Sequence, residues 1–221
     1  MTLLAIDTCA EACAVAVDTG ARRVLRSETI GRGHAERLFG MIQSTMAEAD
    51  TPFAALQRIA VTVGPGSFTG LRVGVAAARG LALATGVPAI GFTTLAVHAA
   101  TARREGWTGV VLAILAARGD SLYGQLFGAL GEELSEPTAD HAGSFAALAE
   151  RHRAGLAGSG AALVAAVLGA DARILHNRAI VDVGDLADLG VHARPPVAPP
   201  RPVYVKAPDA EPMSQRMTQP A

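Results

Sequence analysis

A chain of 221 residues that is half apolar can bury one large or two small cores, but with aromatics at only 4% those cores must be built from Ala, Val, Leu and Ile. A formal net charge of −1 argues against a non-specific grip on nucleic acid, which needs a basic face. The opening run MTLLAIDTCAEACAVAV has no basic leader and is broken by Asp7 and Glu11, and no stretch reaches about 18 uncharged apolar residues, so neither a secretion signal nor a membrane span is expected.

In chain order, LLAID reads as a buried strand, ACAVAVD as a second after a tight turn, and RVLRSETI as an alternating third. Turns this short force an antiparallel meander. Cys9 and Cys13 lie on or beside the first two strands, which suits two buried thiols in a reducing cytoplasm and neither a disulfide framework nor a four-ligand zinc site. Residues 31–50 switch to helical period, with Leu38, Ile42 and Thr45/Met46 recurring until Asp50 and Pro52 stop the run. TPFAALQ is a short helical turn, RIAVTV a strand, residues 67–85 a helix ended by Gly86 and Pro88, PAIGF a strand, and TLAVHAATARRE a helix with its arginines at the favourable end of the dipole. The order β-β-β-α-β-α-β-α, with right-handed crossovers, describes a ribonuclease-H-like unit, the half-molecule of actin-like folds.

A second region begins near Trp107. It reads as a hairpin with ARGDS at its tip, then helix (GSFAALAERHR), strand (LAGSG), helix (ALVAAVLGA), strand (RILHN) and a last helix (VGDLADLGVHAR), a shorter echo of the first half. The proline-rich end predicts an extended arm, with VYVK as a short edge strand and disorder over the last ten residues. The expected architecture is an α/β actin-like fold with mixed sheets: a first lobe over residues 1–106, a reduced second lobe over 107–194, and an arm over 195–221.

The stretch VTVGPGSFTGLRVG invites comparison with a phosphate loop and fails it. Pro65 stands where the first glycine of G-x-x-x-x-G-K-[ST] belongs and Leu71 where the lysine belongs, so an N–H donor and a charge are both missing. Dinucleotide-fingerprint spacing is absent as well. Gly70 and Gly74, continued by Ala77, Ala78 and Leu81, form instead a stripe of small residues that admits a close neighbour, either the protein's own sheet or a partner's helix. The six histidines, His34, His98, His141, His152, His176 and His192, are nowhere four apart, which removes paired-imidazole metal chemistry, and His34 is expected at the surface or an interface. No G-x-S-x-G elbow is present.

LLAIDT, GHAERL, VGPGSFTGLRVGVAAARGLA and PAIGFTTLAVHA together resemble the TsaB (YeaZ) family, closely over the first 105 residues and more weakly through AARGDSLYGQLF, GSGAA and PVYVKAPDA. The resemblance implies a non-catalytic paralogue that binds and activates a TsaD-type catalytic subunit, joins a TsaE-type ATPase, and meets tRNA only through the complex that forms N6-threonylcarbamoyladenosine beside the anticodon. It implies a cytoplasmic protein that homodimerises when alone, has no cofactor of its own, and shares ATP or ADP at most at a partner interface. The partner face is expected on two helices: His34, Leu38, Met41, Ile42 and Thr45 on the first, Gly70, Leu71, Gly74, Val75 and Ala78 on the second. Gly74→Arg is accordingly expected to abolish partner binding without unfolding the chain.

By the same resemblance Asp7 and Thr8 mark a vestigial phosphate turn, with Cys9 where the family usually has Ser. The alternative is a self-contained actin-like ATPase or small-molecule kinase using Asp7. Against it, the second half offers only GSG at 158–160 and an acid, Asp120, at a hairpin tip. An RNA-binding module would have to rely on two local basic clusters, Arg22/Arg23/Arg26 and Arg103/Arg104.

Overall fold

The computed structural model describes residues 1–194 and 198–205. Strands β1 (Leu3–Asp7), β2 (Ala12–Asp18) and β3 (Arg23–Thr29) form the meander. Helix α1 (His34–Glu48), strand β4 (Arg58–Thr62), helix α2 (Phe68–Thr85), strand β5 (Ala89–Phe92) and helix α3 (Thr94–Arg104) complete the first repeat. The second repeat is β6 (Val111–Ala116), β7 (Leu122–Phe127), β8 (Thr138–Asp140), α4 (Ala142–His152), β9 (Gly155–Ala157), α5 (Ala161–Leu168), β10 (Ile174–His176) and α6 (Val183–His192).

The two sheets have the same topology, β3-β2-β1-β4-β5 and β8-β7-β6-β9-β10, each an antiparallel meander extended by two parallel strands. This is the actin-like fold. The second lobe is reduced in strand length, with three residues in each of β8, β9 and β10, but not in strand number. β8 was not legible in the sequence, because TAD offers no apolar alternation. Val203–Val205, the described part of VYVK, form no strand. Val203 donates its N–H to the Val63 carbonyl at 2.7 Å, no ladder follows, and Lys206, like residues 195–197 and the rest of the tail, lies outside the described residues.

Strands β1 and β2 are buried throughout, so alternate residues feed different cores. Leu4, Ile6, Val15 and Val17 meet α1 and α2 through Leu38, Ile42 and Val75. The opposite face is lined by Ala5, Ala14, Ala16 and Ala60, small enough to admit a helix at close range. That helix is α6, from the far end of the chain. A Cβ on Gly190 would fall 2.6 Å from Leu3 Cδ1 and 2.8 Å from the Ala60 Cβ. In exchange, α3 of the first repeat packs Leu95, Ala99 and Ala102 on Val111, Ala113 and Leu115 of the second sheet. The boundary expected at residues 106/107 is therefore crossed twice: α6 belongs spatially to the first sheet and α3 to the second.

Polar contacts hold the exchanged pair. Asp185 on α6, only 3% exposed, accepts from Thr101 Oγ1 and Arg104 Nε on α3, both at 2.6 Å. Asp182 caps the α6 N-terminus by accepting from Gly184 N at 2.8 Å. Arg58 Nη1 donates to the Gly190, Val191 and Ala193 carbonyls at 2.6, 3.1 and 2.7 Å, closing its C-terminus with a cation. Leu186, fully buried against the first sheet, tests this packing. Leu186→Ala should cost about 2–5 kcal/mol in urea denaturation, and the loss should appear in the unfolding of the whole chain.

Candidate functional site: the turn after strand β1 and the corner of helix α2

Asp7 ends β1 and Thr8 and Cys9 begin the turn to β2, the position of a phosphate turn in the fold. All three side chains are buried. Asp7 Oδ1 accepts from Thr62 Oγ1 at 2.6 Å and from Cys9 N at 3.2 Å, while Oδ2 has no partner among the described residues. The Cys9 thiol donates to Thr62 Oγ1 at 3.1 Å. Burial raises the Asp7 carboxyl above its ordinary range and pushes the Cys9 thiol up to about 12, so Cys9 is a neutral donor rather than a nucleophile.

The glycine corner covers this turn from above. Ser67 N donates to the Cys9 carbonyl at 2.7 Å, and Thr8 Oγ1 donates to the Gly70 carbonyl at 2.7 Å. A Cβ on Gly66 would lie 2.2 Å from Cys9 O, one on Gly70 2.0 Å from Thr8 O, and one on Gly74 2.4 Å from Thr8 Oγ1. Ser67 caps α2 by accepting from Gly70 N at 3.3 Å. Gly66 and Gly70 thus permit backbone-to-backbone contact and Gly74 contact with the Thr8 side chain, so the chain itself covers Thr8. Asp7 and Thr8 as they stand do not fit a phosphate-and-metal site.

The second repeat uses the same device. Gly160 N donates to the Ile114 carbonyl at 3.0 Å, Ser159 Oγ accepts from Ala116 N at 3.0 Å, and a Cβ on Gly158 would lie 2.4 Å from Ile114 O. GSG is therefore the counterpart of the glycine corner, again packed on a strand end. Among the described residues no cluster of His, Cys, Asp or Glu could hold a metal. Asp120 stands exposed at its hairpin tip.

The residues expected to meet a partner lie inside the protein. His34, Leu38, Met41, Ile42, Thr45, Gly70, Leu71, Gly74, Val75 and Ala78 are all buried within this chain. The apolar stripe of each helix faces its own sheet, and Gly74 faces Thr8. His34 is no surface residue; its Nε2 lies 3.1 Å from the Ala10 carbonyl. The outward side carries Phe39, Gly40 and Gln43 on α1 and Ala76, Gly80 and Leu83 on α2, with Phe39 52% and Leu83 87% exposed. Gly40 and Gly80 open onto empty space.

Sequence reasoning also missed Thr62, which links Asp7 to Cys9, and the arm that docks on the corner. Tyr204 accepts from Arg72 Nε at 2.9 Å, and Pro200 packs against Gly91. The basic clusters are largely spent within the chain. Arg23 bonds Asp18 and Asp188, Arg26 bonds Glu48, Arg104 bonds Asp185, and Arg103 bonds the Ala99, Gly128 and Ala129 carbonyls.

The raised Asp7 group supplies a test. Its native pKa lies above the unfolded value, so the native state holds its proton more tightly and loses stability as pH rises through that raised pKa. Asp7→Asn keeps the acceptor for Thr62 and cannot ionise. Its stability relative to the parent should grow as pH is raised from about 4 to 7, read from thermal melts across that range.

Comparison with known proteins places the molecule. Residues 27–172, more than half of the chain, match the family model described as TsaD: tRNA N6-adenosine threonylcarbamoyltransferase. The Escherichia coli protein named tRNA threonylcarbamoyladenosine biosynthesis protein TsaB is 38% identical over 123 residues, 56% of this chain and 53% of that one. Its Haemophilus influenzae namesake is 35% identical over 123 residues, 56% of this chain and 52% of that one. The chain thus spans about half the length of the curated relatives it matches. A Pseudomonas aeruginosa crystal structure, described as an uncharacterized protein with similarity to peptidase YeaZ, superposes with a TM-score of 0.75 at 29% identity, covering 93% of this chain and 99% of that one. A structure of YeaZ from the same organism gives 0.57 at 35% identity, covering 62% of this chain and 66% of that one. The chain belongs to the TsaD-type family, within its TsaB (YeaZ) branch.

Proposed function

We propose that this protein is a non-catalytic subunit of the machinery that forms N6-threonylcarbamoyladenosine in tRNA, acting by binding a TsaD-type catalytic paralogue through the outward side of α1 and α2. The names of its relatives support the pathway. One observation carries the subunit role: the phosphate-turn position of the first repeat, at Thr8 and Cys9, is covered by the protein's own glycine corner, while the α1/α2 pair leaves large apolar and small residues uncovered. Open glycines at 40 and 80 let a second helix pair approach closely, and Phe39 and Leu83 are knobs to seat in it. A TsaE-type ATPase and tRNA join through the resulting complex, and the chain alone pairs with a second copy on the same side. ATP or ADP would be held only where partner residues complete the site. Asp7 is then a structural acid, and a self-contained ATPase or kinase would need α2 lifted from Thr8.

The test is size-exclusion chromatography with light scattering on the chain mixed with its TsaD-type paralogue, together with threonylcarbamoyl transfer by the mixture. Gly80→Arg places a long side chain on the outward face and should weaken the complex at least about tenfold with folding changed by no more than ~0.5 kcal/mol. Gly74→Arg should instead unfold the chain, because Thr8 occupies the space. A wild-type chain that ignores the paralogue, or hydrolyses ATP alone and stops on Asp7→Ala, would overturn the proposal.

A further inference from the structure

Helix α2 carries two charged residues, Arg72 and Arg79, and no acid. They are seven residues apart, hence on one side of the helix and about 10 Å from each other along its axis, with Ala76 between them; all three are exposed. Neither has a carboxylate partner among the described residues, and both lie on the outward side of the helix. Arg72 is also held in place. Its guanidinium lies 3.8 Å from the Phe68 ring centroid and its Nε is bound to the Tyr204 hydroxyl at 2.9 Å, leaving both Nη groups without an acceptor among the described residues. Arg79 stands at a groove of about 500 Å³ that runs from Gly80 and Leu83 to Pro88, Ala198 and Pro199.

A flexible surface arginine with no role loses nothing by wandering; one stacked between an aromatic ring and a tyrosine hydroxyl is preorganised to donate in one direction. We infer that α2 docks a carboxylate-bearing helix of the catalytic paralogue, with two acids about two turns apart meeting Arg72 and Arg79 and a small or apolar residue over Ala76. This rests on the functional proposal above and specifies the partner's chemistry. A second copy is the poorer match. Pairing α2 with its own twofold mate sets arginine near arginine, and on α1 the acids are Glu36, in the first turn, and Glu48, already bound to Arg26 at 2.6 Å.

The experiment is calorimetric titration of the full chain with the TsaD-type paralogue at low and high salt, with Arg72→Glu/Arg79→Glu and with Arg79→Glu alone. The double reversal should weaken binding about 100-fold or more, and the parent should lose roughly tenfold more affinity than the variant on raising salt. Arg79→Glu breaks no hydrogen bond within the described residues, so it keeps the test valid if Arg72→Glu loosens the arm; it should cost at least about tenfold. Variants that bind as tightly as the parent, with the same salt response, overturn the acidic partner and leave the subunit role standing. A parent that does not bind the paralogue overturns both. A double variant that loses self-association but keeps the paralogue would assign the arginines to the second copy and overturn the inference.

Discussion

Between Gly70 and the carbonyl of Thr8 there is no room for a single methyl carbon, and most of what distinguishes this molecule follows from that contact. A strand end that opens into a tight turn normally leaves backbone N–H groups and a small hydroxyl for a ligand. Here Ser67 N and the Gly70 carbonyl take up Cys9 O and the Thr8 hydroxyl. The exchange is internally consistent. Asp7 loses access to water, its carboxyl is driven toward the neutral form, and the Thr62 hydroxyl and the Cys9 backbone N–H satisfy Oδ1. A serine at position 9 would bring a stronger donor than the thiol to the same place, so Cys9 suits a turn that no longer presents a donor outward.

Filling the turn also fixes α2. Its first residues are stapled to β1, its inner stripe of Gly70, Gly74 and Ala78 is used up, and everything left for another molecule lies on the reverse of the same helix. Rigidity at the corner and openness on the outer side are therefore two results of one placement. The arm strengthens the same end of the helix, with Val203 hydrogen-bonded to Val63 and Tyr204 to Arg72.

Most of the architecture was legible in the sequence because it is local. The short apolar runs of β1 and β2, the alternation of β3, the helical period of residues 34–48 and 68–85, and the Gly–Pro punctuation after Thr85 all act within a few residues. β8 escaped because it is held by β7 rather than by its own pattern. The direction in which the glycine stripe faces escaped for a different reason. Small residues four apart look the same whether they meet the chain's own backbone or a partner's helix, and Thr8, which decides the matter, lies 62 residues upstream of Gly70. His34 reads as a surface histidine until Ala10 is folded beside it. The site residues themselves, Asp7 and Thr8, could be named from the sequence, but their closure depends on contacts that only the fold supplies.

The exchange of α3 and α6 has a consequence for the order of events during synthesis. The first five strands are complete by Phe92, yet one face of their sheet, lined by Ala5, Ala14, Ala16 and Ala60, is covered by residues 183–192. An emerging chain therefore exposes an alanine-lined sheet until residues 183–192 have left the ribosome, and Leu95, Ala99 and Ala102 of α3 wait unpacked until β6 appears. Contacts between β1 and α6, about 180 residues apart, must close before this face is covered, and such long-range closure slows folding. Truncations that spare every residue of the first lobe would still uncover the face of its sheet that α6 packs on.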